Sequence, residues 1–197
     1  MTSQPFEQVL ARLDQLNSDD PNREMADGVP QPRELVYAKR LTGWVLRLDA
    51  NASDALRIAA RGQHVRRWTI PRSQYPMNRQ GYLRWRETLK TFHAETVGNV
   101  MREIGYDEAM VQQVARLITK KDLATDRDTQ TLEDALCLLF FEAQFADLKH
   151  KTADETLQGV LRKTWHKMSA QGRAEAKRLP LGPDDRAYLS QALGEPF

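Results

Sequence analysis

The chain has 197 residues, 41% hydrophobic and 28% charged, with 29 Lys plus Arg, 27 Asp plus Glu and one cysteine. That composition describes one globular domain with room for a hydrophobic core and excludes a disordered chain. The longest unbroken apolar run, Ala135 to Phe141, is seven residues, too short for a bilayer span. Met1 to Leu10 carry no signal-peptide pattern, and a single cysteine excludes an internal disulfide or a four-thiolate zinc site. A cytoplasmic protein with no membrane association is expected.

The periodicity predicts helices throughout and no convincing strand. Pro5 to Leu16 comes first, with Phe6, Val9, Leu10 and Leu13 on its apolar face. Asn17 to Pro32, with Asp-Asp-Pro, Asp-Gly and two further prolines, reads as a loop. Arg33 to Leu48 stacks Ala38, Leu41, Val45 and Leu48 at helical spacing. Ser53 is the N-cap of a third helix running to about Arg67, followed by an irregular, proline-bearing segment to Asn78. The fourth helix, Arg79 to Ile104, carries the stripe Tyr82, Trp85, Leu89, Phe92, His93, Thr96, Val97, Val100, Ile104 and stops at Gly105. Further helices are expected over Asp107 to Lys120, Thr129 to Lys149, Ala153 to Met168, Ala170 to Arg178 and Pro183 to Leu193. The Thr129 to Lys149 helix, apolar nearly all round, belongs in the middle of the fold. The expectation is a single all-α domain over 1–197: an N-terminal helix and loop (1–32), a core (33–150) and C-terminal helices (151–197).

A net charge of +2 conceals an asymmetry. From Arg57 to Arg86 there are eight arginines and no Lys, Asp or Glu, while the rest of the chain carries a net −6. Arginine's planar fork suits phosphate and carboxylate, and such a run points to an anionic ligand or partner. Arg61, Arg66, Arg67 and Arg72 are the candidate anion-binding residues, with Lys121 from farther along the chain. The plainer reading is a solvated basic face. Within the same segment, Tyr82 and Trp85 fall on the apolar stripe and are expected in the core, whereas Trp68 and Tyr75 are the better stacking platforms.

Four metal-capable side chains stand on apolar stripes: Glu34, His64, His93 and Asp134. A buried carboxylate needs a cation, a metal or hydrogen-bond donors, and imidazole with carboxylate suits Mn, Zn, Fe or Ni. Each also admits a structural role. Either histidine serves as a core side chain, Glu34 as a first-turn acid, and Asp134 as the partner of an arginine, a place Glu133 beside it can equally take. Cys137, within the apolar helix, reads as packing.

Two phrases, Arg-Glu-Leu-Val-Tyr-Ala-Lys-Arg-Leu (33 to 41) and Ala-Leu-Arg-Ile-Ala-Ala-Arg-Gly-Gln-His (55 to 64), resemble the opening of the HD-domain phosphohydrolases. Residues 114 to 121 and 132 to 139 resemble that superfamily's penultimate helix and its Asp-bearing helix. The resemblance implies an HD-domain-like helical fold and a metal-dependent phosphohydrolase. Glu34 stands where the first histidine would be, Gln63-His64 replaces the His-Asp doublet, Asp134 keeps its ligand type, and Lys120-Lys121 stands near another family histidine. Gly-Gln-His-Val-Arg-Arg-Trp-Thr-Ile-Pro-Arg (62 to 72), Tyr-Leu-Arg-Trp-Arg (82 to 86) and Leu-Glu-Asp-Ala (132 to 135) also resemble an uncharacterised microbial family of unknown function.

The leading expectation is therefore a metal-dependent hydrolase of a nucleotide or another small phosphorylated substrate. Glu34, His64, His93 and Asp134 would hold the metal and the basic residues the phosphate. The alternatives are a non-catalytic RNA- or nucleotide-binding module using Arg57 to Arg86, and a basic face that docks an acidic partner.

Overall fold

Helix α1 (Gln4–Ser18) turns Phe6, Val9 and Leu13 into the interior and extends past its expected end, where Ser18 Oγ donates to the Gln15 carbonyl. These coordinates are a computed structural model, which describes residues 4–121, 123 and 125–197. The stretch expected as loop holds an antiparallel hairpin, β1 (Arg23–Ala26) and β2 (Val29–Pro32). Its two-residue turn is Asp27-Gly28, both at positive φ (52° and 80°), the backbone of a hairpin turn that follows the strand twist. No apolar alternation marked it because only Ala26 is buried.

Helix α2 (Arg33–Leu48) starts without a side-chain cap from its own flank, Pro32. Asp20 supplies the missing acceptor: Oδ2 takes the Glu34 backbone N–H at 3.0 Å, and Oδ1 takes both the backbone and side-chain N–H of Asn22. Helix α3 (Asp54–Gly62) is capped by Ser53 as expected but ends five residues early. Gly62 lies so close to Val97 that a Cβ there would sit 2.2 Å from Val97 Cγ2. The chain then turns through Arg66, at φ 52° with its N–H on Asn17 Oδ1, into a 3-10 turn at Arg67–Thr69. That turn sets Arg67 beside His64, with Arg67 Nη1 3.4 Å from His64 Nε2.

Helix α4 (Arg79–Ile104) keeps its predicted bounds, with Asn78 capping the first turn and Gly105 (φ 101°) ending the last. Helix α5 (Glu108–Thr119) is capped by Asp107. The central helix is two helices: α6 (Arg127–Ala143) and α7 (Phe145–Lys151), separated at Gln144. Helices α8 (Asp154–Lys167), α9 (Ala170–Lys177) and α10 (Pro183–Leu193) complete the chain.

Each of these ten helices contributes to one cluster of buried apolar side chains, from Phe6 to Ala192. Helix α2 packs on α3 and α6, α3 on α5, α4 on α5, and α6 on α9, with α1 across α2, α3 and α4. Helix α6 is buried on nearly every side, with Leu132, Leu138, Leu139 and Phe141 at most 1% exposed. Full burial of one such side chain is worth about 2 kcal/mol, so apolar packing outweighs any single polar contact described below. The regular secondary structure of the described residues is thus helical apart from one short hairpin, and none of their helices is long and apolar enough to cross a membrane.

Candidate functional site

The 63–67 turn, the first turn of α2 and the middle of α4 converge. His64 stacks on the Tyr37 ring, with centroids 4.1 Å apart and planes 12° from parallel. Its Nδ1 lies 3.3 Å from Glu34 Oε2, and its Nε2 lies 3.4 Å from Arg67 Nη1. A guanidinium only donates, so Nε2 presents its lone pair and Nδ1 carries the proton toward the carboxylate. His64 is thereby neutral, and burial together with Arg67 and Lys120 holds its pKa well below the ordinary imidazole value. Glu34 is pushed the other way, to about 7, because burial outweighs the attraction of Arg67.

His93 stands beside His64, ring centroids 5.9 Å apart. Its Nδ1 donates to the Val65 carbonyl at 2.9 Å, which leaves Nε2 as a buried lone pair with no hydrogen-bond partner. Burial, His64 and Arg67 lower its pKa to about 3, so it too stays neutral. Arg67 lies over the Trp85 ring at 4.7 Å, and the indole N–H donates to the Ile70 carbonyl. That stack holds the guanidinium in place without neutralising it.

Across the cleft, Glu133 on α6 is 3% exposed and meets Lys120 Nζ at 2.5 Å and Lys167 Nζ at 3.4 Å. Burial pushes the Glu133 carboxyl up, but the two ammonium groups outweigh it and hold its pKa below the ordinary value. Lys120 occupies the left-handed region (φ 57°) at the end of α5, a costly backbone for a non-glycine residue. Burial lowers its pKa.

The structure brings together only part of the predicted metal set. Glu34, His64 and His93 are neighbours; Asp134 is not with them. Its Oδ1 accepts from Gln130 Nε2 (3.0 Å) and from the Ser169 N–H (2.8 Å), and its Oδ2 accepts from the Ser169 hydroxyl. Asp134 therefore fixes the start of α9 to α6, where a Cβ on Gly172 would lie 2.6 Å from its carboxyl carbon. As a four-ligand centre the set does not fit: Asp134 is spent on neutral donors and Arg67 covers His64 Nε2. Among the described residues, no three His, Cys, Asp or Glu side chains are grouped to hold an ion.

The anion set is likewise divided. Arg67 lines the cleft, but Arg61 pairs with Asp14 at 3.2 Å and Arg72 is bound to the carbonyls of Tyr75, Pro76 and Asn78. Arg66 points its side chain to solvent, and Lys121 is exposed while Lys120 faces inward. Arg86, the last arginine of the basic segment, and Lys120, of the Lys120-Lys121 pair, line the cleft in place of the chosen residues, and Lys167 joins them with no sequence signal that marked it. Tyr82 and Trp85 are corrected as well. Tyr82 is 43% exposed, with Arg86 Nη1 donating to its hydroxyl, and Trp85 is half-buried under Arg67. Trp68 and Tyr75, the expected stacking platforms, are half-buried outside the cleft lining. Cys137 is buried, and burial raises its thiol pKa to about 12, as a packing side chain requires.

Neither the curated proteins nor the solved structures contain a match to this chain. Residues 7–188, which include every residue of the cleft, match the family described as "Domain of unknown function (DUF4202)", and the chain belongs to that family.

Proposed function

We propose that the chain is a hydrolase of a small phosphorylated molecule, of the nucleotide class or similar in size. The single observation that carries this is the Glu34–His64–Arg67 line: a protonatable carboxylate, a neutral imidazole and a cation in contact, within a cleft lined by further cations. Groups with opposed pKa shifts at one cavity are the arrangement acid–base chemistry uses.

Phosphate entering the cleft draws the Arg67 fork onto its oxygens and frees His64 Nε2. A water then loses its proton to Nε2 as its oxygen bonds to phosphorus, and the leaving oxygen departs with a proton from solvent. Ionised Glu34 accepts the Nδ1–H and stabilises the imidazolium that forms. Arg67, Arg86 and Lys120 neutralise the charge that builds on the phosphoryl oxygens. The order of the elements supports an HD-domain-like reading of the fold: an acid opening α2, a histidine just past α3, and an acidic pair on α6.

A divalent ion is the second reading, favoured by the unpartnered Nε2 of His93. His93 and His64 would hold it, and it would supply an activated water.

The test is phosphate release from a panel of nucleotides and sugar phosphates, with EDTA or with added Mn, Zn, Fe or Ni. The expected result is turnover that survives EDTA and falls about a hundredfold in His64→Gln at unchanged melting temperature. Turnover only with a divalent ion selects the second reading. Binding without turnover under every condition leaves a non-catalytic nucleotide- or RNA-binding module, and no binding at all removes both.

A further inference from the structure

Two cavities flank the wall made by Tyr37, His64 and Arg67. One, of about 530 Å³, opens between the hairpin, the start of α2 and the α6–α7 bend. The other, of about 430 Å³, lies between α4, α6 and α8. Tyr37, His64, Arg67 and Gln144 line both, so the two are compartments of one cleft.

Each compartment has its own surplus of positive charge. In the first, Arg40 is paired with Glu24 and Lys151 with Asp147. Arg23 and Arg33 also line it, and neither has an ion pair among the described residues. Arg33 opens α2, where the helix dipole adds its own positive end, so a cation there works against the helix and favours an anion beside it. In the second compartment, Lys120 and Lys167 share the single charge of Glu133. Arg86 has no carboxylate partner among the described residues, and Arg67 faces both sides. The second compartment differs in having an apolar wall that includes Leu89, Leu136 and Phe140.

One phosphate satisfies one side only. Filling the other with water leaves its cations repelling one another, and either cavity is much larger than a phosphate. We propose that the cleft takes a small molecule bearing two separated phosphate groups, one in each compartment. Its uncharged body would cross the Tyr37–His64 stack and lean on the Phe140 side. The proposal rests on the phosphate reading above and adds a second anionic subsite to it.

Calorimetric titration of the full chain with straight-chain diol bisphosphates of about three to eight carbons, against the matching monophosphates, tests it. A bivalent fit predicts an affinity that peaks with length, at the peak about tenfold tighter than the monophosphate. Arg23→Ala and Arg33→Ala, both in the first compartment and outside the Arg67, Arg86 and Lys120 set, should each erase most of that gain and leave monophosphate affinity within about threefold. Equal affinity for mono- and bisphosphates at every length overturns the proposal while the phosphate reading stands. A gain that survives both substitutions also overturns it, and binding of neither series removes both readings.

Discussion

Glu133 and Asp134 are consecutive on α6, both 3% exposed, and they do different work. Asp134 accepts from an amide side chain, a backbone N–H and a hydroxyl, all neutral, and ties α6 to α9. Glu133 meets two ammonium groups at a cavity wall. Both satisfy the rule that a buried carboxylate must be compensated, but the means differ. Neutral donors make a fixed joint with no remaining charge to offer. Cations in excess of their acid make a field that an incoming anion completes. The comparison separates architecture from site more sharply than burial does, since burial is the same for both.

The largest expected effect falls on the architectural side. Asp134→Ala removes a charged acceptor from three donors and should cost about 3 kcal/mol in chemical unfolding, with phosphate affinity unchanged in the folded fraction. Glu133→Gln should cost less, about 2 kcal/mol, and should tighten phosphate binding, because Lys120 and Lys167 lose their counter-charge. If the two substitutions altered affinity alike, the distinction would be wrong.

How much of this was legible beforehand follows from the same pair. The stripe through Asp134, Leu138, Phe141 and Phe145 correctly put an acid inside. A helix buried nearly all round has no single inner face, however, so the stripe did not decide between neighbouring acids. Helices α2 and α4 were legible to the residue because proline, asparagine and glycine sit at their ends. The hairpin was not, since it buries so little, although Asp27-Gly28 is a hairpin signal in its own right. The segregation of arginines was plain from charge alone. Their division of labour was not, because it depends on partners far along the chain, such as Asp14 for Arg61.

A smaller effect sharpens the cleft side of the comparison. Glu34 titrates near 7 in the folded chain against an ordinary 4.5, so between those values the folded state binds the extra proton. Its contribution to stability therefore falls as pH rises through that window. His64 and His93, whose folded pKa values are lowered, act in the opposite sense up to about pH 6.5. The clean readout is the difference between variants: Glu34→Gln should melt within a degree or so of the parent at pH 5 and about 4 °C or more above it at pH 8. A constant difference across that range would place Glu34 outside the role assigned to it.

Arg66 and Arg67 offer the most direct test of the central claim, that this cleft is an anion site. They are adjacent in sequence, but Arg66 faces solvent while Arg67 spans the two compartments between His64 and Trp85. Inorganic phosphate and adenosine monophosphate should each bind Arg67→Gln about tenfold or more weakly than the parent, and Arg66→Gln like the parent. Equal losses in the two variants, or none in Arg67→Gln, would contradict the account.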